Sequence, residues 1–274
     1  MAYFLIIFST VLFGVQFGCT KKYQTLAGEG IKSSLLYNAV SPVVFGLIMF
    51  LIASDKFVFL PFTVICSFIW AIIANAITYF SIKSLALGSV ANYSVFLLGG
   101  GMVLPAVYGF FAGDSINVFK VVGILFILAA VGVKLDFKEK NGLHAYLCFF
   151  AMFLLNGLIG ILSSVYQSDI LPFDRNSAEQ FAFMRAIFTA VLGAVILGVF
   201  SLKDRTDKEL SRKSNFVKAM PWALFGGILN GVANLLLLYA LLSLDPSLQY
   251  PLVTGGTILV SVLIGLLFKE KVDK

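Results

Sequence analysis

The chain repeats itself. Ala2-Tyr3, Gly14 and Tyr23-Gln24 recur as Ala145-Tyr146, Gly157 and Tyr166-Gln167, all displaced by 143 residues. Ala39, Val44 and Gly46 recur as Ala186, Val191 and Gly193, displaced by 147. Leu87 and Tyr93 recur as Leu244 and Tyr250, and Gly99-Gly100 and Gly109 as Gly255-Gly256 and Gly265. An internal repeat dictates architecture before any single residue does. It demands two copies of one helical or stranded unit packed against each other.

Composition decides which. Of 274 residues, 59% are hydrophobic and only 12% charged, against roughly 45–50% and 25% in soluble domains. The apolar residues form nine stretches, at 2–20, 31–53, 60–82, 89–112, 116–135, 143–165, 178–200, 218–242 and 247–268. Each is near the ~20 residues that span a bilayer as a helix. The expectation is an all-α integral membrane protein with nine spans and short connections. Repeat 1 occupies residues 1–138 with five spans, and repeat 2 residues 143–274 with four. The first stretch has no basic segment before it, Phe17-Gly18-Cys19 is a poor cleavage site, and it has an internal counterpart at Ala145, so it reads as a retained span. Cys19, Cys66 and Cys148 lack paired spacing and His144 is the single histidine, so no metal, cofactor or disulfide is expected.

The net charge of +6 does not point to nucleic acid, because the charges are sorted. Lys56, Lys120 and Arg175 fall on one side, Arg185 lies within a span, and the other 16 of the 20 basic residues fall on the opposite side. The positive-inside rule makes the second side cytoplasmic, with the amino terminus outside and Lys274 inside. The connection after the first span is basic while its mate after the sixth has only Arg175. The connection after the second span has only Lys56 while its mate has six basic residues. Halves of opposite bias insert in opposite orientations, the inverted repeat of many secondary transporters.

Two glycine-rich spans extend the match. Ser84-Leu85-Ala86-Leu87-Gly88-Ser89 leads to Gly99-Gly100-Gly101 and ends at Asp114. Leu242-Ser243-Leu244-Asp245-Pro246-Ser247 leads to Gly255-Gly256-Thr257 and ends at Glu270. With these elements the whole chain resembles the drug/metabolite transporter superfamily, in its EamA-like permease branch. That resemblance implies ten spans in two inverted five-helix halves, an acidic residue closing the two glycine-rich spans (Asp114, Glu270), and an Arg early in the second span of a half. Arg185 matches this last feature and Asn38 does not. The mate of the fifth span would begin near residue 272, so nine spans are expected, without the tenth. The related small multidrug resistance proteins carry a Glu in their first span; here Leu12-Phe13-Gly14-Val15-Gln16 has none.

All fourteen acidic residues lie in connections, tails or span ends. Without a carboxylate at mid-depth, proton-driven export of organic cations is disfavoured. Arg185 lies about seven residues into its span, roughly 10 Å of helix rise. A charge there costs roughly 2.5 kcal/mol or more unless paired or hydrated. It either meets an anionic substrate group in a water-filled cavity, or snorkels or pairs with Glu179. Asn230 and Asn234 share a helix face, as do Asn75 and Tyr79. Asn92-Tyr93 and Gln249-Tyr250 occupy equivalent starts of the glycine-rich spans, and Asn38, Asn156 and Thr257 add polar groups within spans. These twelve residues are the candidate substrate-binding set. The alternative for each is helix-to-helix hydrogen bonding.

The sequence therefore reads as an inner-membrane secondary transporter, with a small metabolite and the lipid bilayer as partners and no catalytic or cofactor site. A nucleotide-driven pump is excluded by the lack of a phosphate loop ending in Gly-Lys-Ser/Thr. An intramembrane hydrolase lacks a nucleophile–base pair or clustered ligands. A non-transporting membrane scaffold is the competing expectation.

Overall fold

Helix ends are written into the local sequence. Gly28 adopts φ +84° in the turn after the first helix, a conformation that favours glycine. Pro61 stands in the first turn of its helix, where its missing N–H costs nothing. Ser89 and Ser177 accept the backbone N–H of Asn92 and Gln180 at 3.1 and 3.3 Å and so cap the helices that follow. In the computed structural model these signals delimit α1 Ala2–Ala27, α2 Ile31–Ile52, α3 Pro61–Leu87, α4 Val90–Phe111, α5 Gly142–Gln167, α6 Ala178–Lys203, α7 Glu209–Leu241 and α8 Pro246–Leu267. The structure describes residues 2–53, 58–111, 142–167, 172–203, 209–241 and 246–267, with isolated positions 118, 121, 122 and 125. The expected span at 116–135 lies outside the described residues as an element.

Among the described residues, six helices are long and apolar enough to cross a membrane, and two shorter apolar segments lie at Asn92–Tyr108 and Leu252–Leu267. The radial pattern agrees. Phe4, Leu51, Phe59, Phe111 and Leu267 are exposed, whereas Ser9, Ser67, Ser94, Thr63, Ala71 and Ala219 are buried. Large apolar side chains turned outward, with small and hydroxylated residues among the buried ones, suit a helical bundle whose solvent is lipid. The chain is a membrane-embedded helical protein.

Contact order fixes helix direction. Thr10 and Gly14 of α1 meet Gly256 and Val260 of α8, so α1 and α8 are parallel. Phe153 and Gly157 of α5 meet Gly100 and Leu104 of α4, so these are parallel too. Ala39 and Gly46 of α2 meet Gly193 and Ala186 of α6 in reverse order, so α2 and α6 are antiparallel. Trp70 and Asn75 of α3 meet Phe181 and Thr189 of α6 in parallel. Thr63 and Gly88 of α3 meet Tyr166 and Phe149 of α5 in reverse. Since α1 turns tightly into α2, the chain of directions makes α1 and α5 opposite. Parallel α4 and α5 also place the end of one and the start of the other at opposite ends of the bundle.

The contacts between halves come in pairs. Gly14–Val260 and Gly157–Leu104 are related by displacements of 143 and 156 residues, as are Thr10–Gly256 and Phe153–Gly100. Gly46–Ala186 and Gly193–Ala39 exchange at 147. Whole helices follow suit: α1 packs on α7 and α8, as α5 packs on α3 and α4, while α2 packs on α6 and α7 and α6 on α2 and α3.

A Cβ on Gly100 would run into the Phe153 backbone carbonyl, whereas one on Gly255 meets nothing within 4 Å. Gly100→Ala is expected to lower stability by about 1–3 kcal/mol through overpacking. Gly255→Ala should be neutral or slightly stabilising through helix propensity. Thermal unfolding of the two variants in detergent checks the contrast.

Candidate functional site

Polar side chains inside the bundle gather on both sides of α2. On one side, between α2, α3 and α6, Asn38 Nδ2 donates to Asn75 Oδ1 at 3.1 Å and Asn75 Nδ2 donates to the Thr189 carbonyl at 3.2 Å. Thr78 Oγ1 donates to Asn38 Oδ1 at 2.8 Å. One direct bond thus links Asn38 to Asn75, with Thr78 and backbone carbonyls completing both amides, and each such bond in a membrane bundle is worth about 0.6–1.7 kcal/mol. This seam continues to Arg185, because Thr189 Oγ1 donates to the Arg185 carbonyl at 2.6 Å.

The Arg185 side chain enters an aromatic box. Its Cζ lies 4.2 Å from the Trp70 ring centroid, 5.5 Å from Phe45 and 5.7 Å from Phe181. Such faces attract a guanidinium through the ring quadrupole, by about 0.5–2 kcal/mol. Among the described residues its N–H donors meet no carboxylate, so the expected alternative of a pair with Glu179 is not formed there. Cation–π contact satisfies charge but not directional donors, which remain suited to an oxyanion.

Beside the seam a cleft of about 380 Å³ opens between α2, α3 and α6, with Ser34, Asn75 and Tyr79 among walls such as Ile72, Leu192 and Ile196. At its rim Lys83 Nζ reaches Tyr79 Oη at 3.5 Å and lies 5.6 Å from the ring centroid. The cleft is mostly apolar with a cation at its edge, which suits an amphipathic molecule better than a strongly polar one.

On the other side of α2, facing α1 and α7, Tyr37 Oη and Thr20 Oγ1 are 3.0 Å apart, and Gln16 Nε2 reaches Thr20 at 3.5 Å. Gln16 Oε1 is buried without a hydrogen-bond partner. Gly226 brings α7 against Tyr37 and Gln16, and Gly227 brings it against the Ser41 carbonyl. Helical spacing puts Asn230 and Asn234 on the arc of α7 between its α1-facing and α2-facing sides. Asn234 Nδ2 donates to the Asn230 carbonyl at 2.8 Å and to its Oδ1 at 3.1 Å. The pair is half-buried.

The other expected residues lie apart. Asn156 Nδ2 donates to the Leu97 carbonyl at 2.6 Å and ties α5 to α4. Tyr93 is buried edge-on against Phe17, with centroids 5.1 Å apart. Asn92 sits in the first turn of α4. Thr257 is buried with its hydroxyl unpartnered. Gln249 and Tyr250 fall in the first turns of α8, and their side chains lie outside the described residues. Among the described residues no cluster of metal-ligating groups forms. Tyr37, Thr20, Thr78 and the Trp70 box were not singled out from sequence. Thr78 had a readable signal, one helical turn beyond Asn75.

Comparison with protein-family models, curated proteins and solved structures finds no match to this chain.

The Asn38–Asn75 pair gives a direct check. A double-mutant cycle with Asn38→Ala and Asn75→Ala should return a stability coupling of about 0.6–1.7 kcal/mol. The same cycle between Asn38 and Asn234 should return none.

Proposed function

We propose that this chain is a secondary transporter of the bacterial inner membrane, built from two inverted halves and related to the drug/metabolite transporter superfamily. Its cargo is a small amphipathic metabolite with an anionic group, such as a carboxylate. The observation that carries this reading is the paired exchange of contacts between halves whose first helices point in opposite directions. Such an arrangement has two equivalent ways to pack, one open toward each side, which is what alternating access requires.

Specificity rests on α2 and its neighbours. In this reading the Arg185 guanidinium, held by Trp70, Phe45 and Phe181, supplies fork-shaped donors to the carboxylate. The apolar walls around Asn75 and Tyr79 take the hydrocarbon part. Asn230 and Asn234, with Gln16 and Tyr37, replace the hydration shell on the opposite side of α2. The chemistry is binding and release, with no bond made or broken.

Counterflow into proteoliposomes, loaded with a panel of amphipathic carboxylates, tests transport directly. At least one should exchange, and absence of flux across the panel would favour the scaffold. For the site, Arg185→Ala should weaken ligand-induced thermal stabilisation by about 10- to 100-fold in apparent affinity, from roughly 1.5–3 kcal/mol for a charge-assisted hydrogen bond. Unchanged affinity for every stabilising ligand would remove Arg185 from the site.

A further inference from the structure

Two tyrosines hold equivalent places at opposite ends of the bundle. Tyr23 Oη donates to the Ser33 carbonyl at 2.7 Å, and Tyr166 Oη donates to the Asn176 carbonyl at 2.9 Å. Both pairs are ten residues apart, and both members are displaced by 143. Each tyrosine packs on an aromatic of the following helix, Tyr23 on Tyr37 at 5.0 Å and Tyr166 on Phe181 at 3.9 Å between centroids. Each also crosses to the other half: Tyr166 onto Thr63 of α3, and Tyr23 into the cluster with Ala219 of α7. Ala219 lies 156 residues after Thr63, the displacement that relates Gly100 to Gly256. Both tyrosines are buried.

The two closures differ in chemistry. At the Tyr166 end, Thr63 Oγ1 and Tyr166 Oη are 3.0 Å apart, and the Asn176 N–H donates to Thr63 Oγ1 at 3.0 Å. Asn176 Nδ2 donates to the Val58 carbonyl at 2.6 Å, and the Leu60 N–H donates to Asn176 Oδ1 at 3.4 Å. All four bonds join one half to the other. At the Tyr23 end the equivalent partner is an alanine, which has no side-chain donor or acceptor. Ser33 Oγ, at the position equivalent to Asn176, is buried without a hydrogen-bond partner.

We propose that these are the two end closures of the pathway, and that their inequality sets its resting bias. The Tyr166 end is the locked one. The Tyr23 end, where Lys21, Lys22 and Lys32 cluster, opens first. This rests on the two-half rocking of the proposed function and adds which end yields. Ala219 is the residue that makes the difference, since a hydroxyl there would restore what Thr63 supplies at the other end.

Native thiols report on each end. Cys66 is buried beside Tyr166, and Cys19 is buried one turn before Tyr23 on α1. In full-length protein in lipid nanodiscs, N-ethylmaleimide labelling of both is followed by peptide mass spectrometry. Cys19 should label faster than Cys66. Thr63→Val, nearly isosteric but without the hydroxyl, should speed Cys66 and slow Cys19 by about 3- to 10-fold, the population shift of one intramembrane hydrogen bond. Ala219→Ser should slow Cys19 and speed Cys66. Opposite changes at the two thiols support the proposal. Changes in the same direction mean general loosening and overturn it, as does no change in either variant. Counterflow on the same proteins separates the two ideas. Reciprocal labelling without flux of any carboxylate keeps the closures and removes transport. Flux with unshifted labelling does the reverse.

Discussion

Everything else in this bundle depends on how closely helices of one half can approach helices of the other. In lipid, burying apolar surface supplies no drive between helices, because hydrocarbon outside is as apolar as leucine inside. Association has to come from dense packing and interhelical hydrogen bonds. Gly14, Gly100, Gly157, Gly227 and Gly256 meet this need by letting a neighbour sit where a Cβ would be. The exposed surface keeps its bulk in Phe4, Leu51 and Phe111, and the interior holds alanine, serine and threonine. Large side chains such as Phe17, Tyr23, Leu85 and Phe153 are buried as well, so the interior mixes bulk with the small residues that let helices meet.

Close approach brings backbone and polar side chains together, and α2 is where this matters most. It packs against α3, α6 and α7, so its two polar sides look into different seams. Toward α3 and α6 the amides of Asn38 and Asn75 are satisfied by each other, by Thr78 and by backbone carbonyls. Toward α1 and α7, Gln16 retains an unpartnered oxygen and Asn234 spends its donors within its own helix. Buried polar groups with spare capacity are costly in a structural role. They make better sense where a ligand or water completes them. Arg185 shows the same economy: aromatic faces hold its charge without consuming its directional donors.

The recurrence was legible because glycines, tyrosines and their spacing recur along the chain, and Gly14 with Gly157, Gly46 with Gly193 and Gly100 with Gly256 return at close helix contacts, whereas Gly255 touches nothing. The depth of Arg185 was equally readable from its distance along an apolar run. Its aromatic box was not, since Trp70, Phe45 and Phe181 come from three helices and are lost among many lipid-facing aromatics. Asn156 was read with the pathway residues, and its amide bonds the Leu97 carbonyl across to α4. A lone polar residue in an apolar run has no sequence mark telling a carbonyl partner from a ligand. Tyr23 and Tyr166 stood out as a recurrence. Their role needed Thr63 and Ala219, a pair whose side chains share too little for the repeat to be visible there.

The distribution of contacts also bears on how such a chain assembles. The first half has internal contacts between α1 and α3, α2 and α3, and α1 and α4. Within the second half, only a slight contact between α7 and α8 stands out among the described residues. Its helices lean on the first half instead of on one another. The first half depends on the second in the same way, since α1 makes most of its contacts with α7 and α8, and α2 with α6 and α7. A bundle held mainly across its halves reaches its final packing only when helices of both are in the membrane together. A membrane chaperone would then have the first helices to guard as well as the last.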